Sequence, residues 1–136
     1  KQPTLDAILE DVSKNNHDKI VTSVLSKVEV AWVASEKNAH VLSRDEEDRI
    51  DALWNDSSVI ELVDFNDEIA HLSRNLLRRS MERGWDGLKV NDAIHLATAE
   101  WVGSTEMNTY DRKLFRYTEL ITRPVKPPIA AQPRLL

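Results

Sequence analysis

Residues 89–111, KVNDAIHLATAEWVGSTEMNTYD, constrain the fold of this chain more than any other stretch. An apolar helix opens beside a carboxylate, Asp92, and Gly103 stops it. A short strand follows at 106–109, with a second carboxylate, Asp111, just past its end. In a parallel α/β sheet, the strand carboxyl ends and the loops after them form the ligand cleft. Both acids are therefore expected at one edge of such a sheet. Upstream, Glu29 adds a third carboxylate on a largely apolar helix. Three acids converging on one cleft suit Mg²⁺ or Mn²⁺ and phosphate-ester chemistry.

The rest of the chain supports an alternating α/β reading. Leu5, Ile8, Leu9 and Val12 recur at helical spacing, which predicts a helix over 4–14. A turn at 15–18 leads to a strand at 20–23 and a helix at 24–36. Ser43 followed by Glu46 has the capping-box pattern and starts a helix carrying Ile50, Leu53 and Trp54. A strand at 59–65 precedes a helix capped by Asn66 or Asp67 and ended by Gly84, with Ile69, Leu72, Leu76 and Leu77 facing inward. A helical turn at 112–116 and a last strand at 119–122 complete the domain. Alternation of this kind implies a three-layer α/β/α sandwich around a short parallel sheet. The domain is expected to span 1–123, followed by a proline-rich tail over 124–136.

Taken singly, each acid has a plainer reading. Glu29 lies at the edge of a buried face, between Leu25 and Val33, where a lysine or arginine would serve as partner. Asp92 reads as an N-cap, unless Asn91 takes that role. Asp111 reads as the cap of the next helical turn, with the Thr109 hydroxyl two residues back. His95 is expected to pack and bond to backbone, since carboxylate-rich Mg²⁺ sites seldom need imidazole. Trp85, the loop tryptophan, is the candidate for stacking on a base.

Several chemistries are excluded. The chain has no cysteine, which removes disulfides, thiolate zinc sites and cysteine nucleophiles. It has no G-x-S-x-G elbow and no glycine-rich phosphate loop. No apolar run suits a bilayer span and no signal peptide is evident, so a cytoplasmic protein away from membranes is expected. The net charge of −5 is uneven, −9 over 1–70 and +4 over 71–136. The basic half can grip phosphates, with Arg78, Arg79, Arg83, Lys89, Arg112 and Lys113 nearest the acids in sequence.

Three stretches resemble a PIN domain, most closely the VapC-like toxins of bacterial toxin–antitoxin pairs. They are IVTSVLSKVEV (20–30), VNDAIHLATAE (90–100) and NTYD (108–111). The resemblance runs from about residue 4 to 122. It implies a metal-dependent endoribonuclease that uses Mg²⁺ or Mn²⁺ to activate a water against an RNA phosphodiester. It assigns Glu29, Asp92 and Asp111 as the metal-site carboxylates, and Ser23 and Thr109 as polar positions near the site. Arg112 joins Ser23 and Thr109 as a substrate-binding candidate. A small antitoxin protein and a homodimer are the partners expected beside RNA. The family also begins with a central strand ending in aspartate, which this chain lacks at its start. That departure keeps open a catalytically inactive binding scaffold, and an RNA-processing or DNA-repair nuclease without antitoxin is a further alternative.

Overall fold

A computed structural model describes residues 20–29, 41, 43–58, 60–85 and 87–128. The helix expected over 4–14, the turn at 15–18, Val33 of the second helix and the end of the tail lie outside these residues. Strand β1 (Ile20–Ser23) pairs in parallel with β2 (Ile60–Val63), Ile20 opposite Ile60 and Ser23 opposite Val63. Strand β3 (Met107–Asn108) pairs in parallel with β4 (Val125–Lys126). Among the described residues these are two separate parallel pairs, not one continuous sheet. The fold is α/β with short parallel strands, as the alternation predicts. After β1 the chain turns at once into helix, and residues 26–29 are helical.

Helix α1 (Arg44–Trp54) begins with the expected capping box: the Ser43 hydroxyl accepts from the Glu46 N–H, and the Glu46 carboxylate accepts from the Ser43 N–H. Helix α2 (Asp67–Glu82) is capped by Asn66, whose Oδ1 accepts from the Ile69 N–H at 2.8 Å. It buries Ile69, Ser73, Leu76 and Ser80 along one stripe, and Gly84 takes the left-handed conformation just past its end (φ 70°). Helix α3 (Val90–Val102) packs against α2 and β1. Leu96, Ala97 and Thr98 are buried in succession, so α3 is enclosed on more than one side. Gly103, at φ 67°, closes α3. Among the described residues no helix is long and apolar enough to cross a membrane.

The strand expected at 119–122 is not a strand. A 3₁₀ helix (Arg112–Tyr117) runs directly into the short helix α4 (Thr118–Ile121). Leu120 and Ile121 are adjacent and both buried, which a strand with one wet face cannot achieve. A helical corner drives both into the core. The strand lies further on as β4, within the segment expected to be tail. Val125 is buried there, and its N–H is accepted by the Thr118 hydroxyl at 2.9 Å. One core joins Val63, Ile69, Leu76, Leu96, Leu114, Tyr117, Ile121 and Val125.

Candidate functional site

Asp92 stands in the first turn of α3 and does not cap it. The helix begins earlier than expected, and the cap position falls on Lys89, which makes no side-chain capping bond. The alternative cap, Asn91, likewise lies inside the helix. Asp92 is thus released from the structural duty that most often explains an aspartate at a helix start. It is partly buried, and its carboxylate makes no hydrogen bond among the described residues. Its pKa is raised, first by desolvation and then by the neighbouring charge of Asp111, with Glu29 adding a smaller push. His95 and Lys89 act in the opposite direction.

Asp111 does cap, as one of its two readings held. Its Oδ1 accepts from the Lys113 N–H at 3.0 Å and begins the 3₁₀ helix. The Thr109 hydroxyl accepts from the Asp111 N–H at 3.1 Å, which fixes the loop that presents the acid. Asp92 and Asp111 line one small pocket, of about 90 Å³. Lys89, Lys113 and Arg116 rim it, and Leu88, Leu114 and Tyr117 supply its apolar wall. The 3₁₀ helix explains the rim, because residues three apart eclipse one another and so align Lys113 with Arg116.

Glu29 is placed differently. Its Oε1 is hydrogen-bonded to Nε2 of His95, one turn along α3 from Asp92. His95 therefore bonds to a carboxylate, not to backbone as its sequence context suggested. The structure brings Asp92 and Asp111 to one pocket and holds Glu29 against the same helix, within electrostatic reach of Asp92. Among the described residues no group of three His, Cys, Asp or Glu side chains is set to hold one ion. The donor chemistry nonetheless fits a hard divalent cation, since two carboxylates share the pocket and one has no partner there. Ser23 is buried and its hydroxyl accepts from the Leu25 N–H at 3.1 Å, so it shapes the turn after β1. Arg112 is exposed and does not line the pocket.

Arg116 and Tyr117, neither of which the sequence singles out, line the same pocket as the acids. Their only sequence signal was the spacing Asp111–Lys113–Arg116, which a 3₁₀ turn would gather. Trp85 is not free to stack on a base from an open loop. Its ring meets Tyr117 edge-on, with centroids 5.3 Å apart, and the guanidinium groups of Arg83 and Arg116 each lie 5.0 Å from its centroid.

A family model for the PIN domain matches residues 2–120 of the chain. No curated protein and no solved structure gave a significant match.

Proposed function

Because this chain belongs to the PIN-domain family, whose members are generally nucleases, we propose that it is a metal-dependent endoribonuclease and the toxin of a toxin–antitoxin pair. One observation carries the reading. Asp92, an acid with no structural task, shares a pocket with Asp111, and three cationic side chains rim it. Opposed charges side by side suit a phosphodiester that approaches together with a cation.

Asp92 and Asp111 would hold Mg²⁺ or Mn²⁺, with Glu29 as third ligand once it exchanges its bond to His95. When bound, such an ion acidifies water and offsets the charge that develops on phosphate. The protein's own residues supply the rest. Lys89 lies near Asp92 and moderates the repulsion between the acids. Lys113 and Arg116 receive phosphate oxygens at the pocket rim. Thr109 fixes Asp111, Ser23 fixes the turn leading toward Glu29, and Arg112 extends the basic surface beyond the pocket. RNA is the substrate in this reading, and a small antitoxin and a second copy of the chain are the protein partners.

The test is cleavage of a labelled single-stranded RNA by purified protein in Mg²⁺ or Mn²⁺, against the same reaction in excess EDTA. Cleavage that persists in EDTA removes the metal mechanism. Co-expression with the product of any small frame directly upstream tests the toxin assignment. A product that neither co-purifies nor suppresses cleavage turns the reading to an RNA-processing or DNA-repair nuclease. A binding scaffold is the second reading, and the Glu29–His95 bond favours it, because it draws one acid away from the other two. RNA binding without cleavage in either metal would establish it.

A further inference from the structure

We propose that Arg116 seats the phosphate of the bound strand beside Asp92 and Asp111, and that Trp85 and Tyr117 are its positioning residues. The inference rests on the nuclease reading of this pocket and names the contact by which that pocket would hold its substrate.

Arg116 lines the pocket together with both acids. Its guanidinium lies 5.0 Å from the centroid of Trp85 and 5.9 Å from that of Tyr117. A cation is attracted to an aromatic face at such distances. The aromatic pair is itself fixed. Tyr117 is buried, and its hydroxyl shares a hydrogen bond of 2.5 Å with Ser80 of α2. Ser80 donates its single proton to the Trp85 carbonyl at 2.6 Å, so the Tyr117 hydroxyl is the donor to Ser80. This chain of bonds locks the Trp85 loop and the 3₁₀ helix to α2. Arg116 therefore rests on a platform that does not need to reorganise when a ligand arrives.

Among the described residues no carboxylate is paired with Arg116. Arg83 lies over the same tryptophan at the same distance, but it bonds to Glu119 at 3.6 Å. Lys126, on the neighbouring strand, bonds to Glu106 at 3.2 Å. A cation–π contact uses the charge of a guanidinium and engages none of its N–H groups in an ion pair. A planar fork of that kind matches two oxygens of a phosphate. Asp92 and Asp111 line the same pocket, and among the described residues Arg116 pairs with neither. A phosphodiester entering this pocket meets two carboxylates, and Arg116, held on its aromatic platform beside the more flexible Lys89 and Lys113, is the planar fork placed to offset its charge there.

The experiment measures binding of a fluorescein-labelled single-stranded oligouridine by anisotropy, in EDTA and across a salt series. On a single strand each phosphate contact contributes about 0.7 to the slope of log affinity against log salt. Arg116→Ala and Arg116→Gln are each expected to bind more weakly and to lower that slope by about 0.7. Arg116 is exposed, so neither variant should disturb the core. Arg116→Lys should restore the slope but only part of the affinity, because it keeps the charge and loses the fork. Trp85→Leu should raise KM for RNA more than it lowers kcat, and Trp85→Phe should rescue KM. Arg74→Ala, an equal change of charge outside the pocket, is the control. The proposal is overturned if Arg116→Ala and Arg116→Gln keep the parent slope, or if Arg74→Ala lowers it as much. If the parent protein cleaves no RNA yet shows the Arg116-dependent slope, the nuclease reading falls and the phosphate seat stands. If it cleaves RNA with no dependence on Arg116, the reverse holds.

Discussion

Helices α2 and α3 pack against each other, yet they begin in opposite ways. At the start of α2, Asn66 caps the Ile69 N–H, and Asp67 and Glu68 lie in the first turn where the helix dipole favours them. Every local rule is met there, and those residues have a complete structural explanation. At the start of α3 there is no side-chain cap, and Asp92 stands partly buried with its pKa raised. This helix is deeply enclosed, yet its first turn lacks the side-chain cap that α2 has. A local rule broken where the surroundings are otherwise well built marks a position kept for another purpose. On the proposed function, the difference places stability at one helix start and the metal-site acid at the other.

The largest test of that division removes what the two helices share. Leu96→Ala should cost about 2–5 kcal/mol, because Leu96 is fully buried in the core that joins α3 to α2. Chemical denaturation measures it. A loss well under 1 kcal/mol would mean that α3 is not the buried hub of the domain. Next in size is Asp92→Asn. It should reduce RNA cleavage by about 100-fold or more, since it removes charge from the proposed cation site while keeping shape. Folding, followed by circular dichroism and thermal melting, should be unimpaired. Cleavage within a few-fold of the parent would move the chemistry away from α3.

The contrast also accounts for how much was legible in the sequence. The bounds of α2 could be read because their causes are local: Asn66 at one end, Gly84 at the other and a helical apolar stripe between. The capping box of α1 was legible for the same reason. Residues 119–122 misled, because Leu and Ile beside two threonines favour a strand in isolation. The preceding 3₁₀ helix and the core decide otherwise. Strand β4 was hidden among prolines, since only its pairing with β3 reveals it. At the site, Asp92 and Asp111 were visible from their places in an α/β unit. The Glu29–His95 bond joins residues 66 positions apart, and the Arg116–Trp85 contact depends on tertiary packing, so neither leaves a local signature.

A smaller effect sharpens the comparison at the capped end. Asn66→Ala should destabilise the protein by about 1 kcal/mol, because it leaves the Ile69 N–H without its acceptor. RNA cleavage at a temperature well below the melting transition should not change. The pairing of outcomes matters more than either alone: Asn66→Ala costs stability and spares activity, and Asp92→Asn does the opposite. If both substitutions lowered both quantities together, the two helix starts would not differ in kind.

The smallest expected effect is the most diagnostic of Asp92. Burial and the charge of Asp111 hold its folded-state pKa above the ordinary aspartate value of 3.8. In the folded protein the acid therefore keeps its proton at pH values where the unfolded chain has released it. By linkage, stability falls as pH rises from near the ordinary value through the raised one, and the loss is complete above it. Asp92→Asn carries no charge at any pH and escapes this loss. Below the ordinary value the two proteins should be equally stable, and at neutral pH in EDTA the variant should be the more stable. Millimolar Mg²⁺ should then narrow the gap by stabilising only the parent, because an ion that binds the folded carboxylates and not the unfolded chain shifts folding by mass action. Urea titrations at several pH values, with EDTA and with Mg²⁺, measure both arms. A parent more stable than Asp92→Asn at neutral pH in EDTA would mean that a cation of the protein already satisfies Asp92. In that case the start of α3 would be as self-sufficient as that of α2, and the carboxylate would no longer be waiting for an ion.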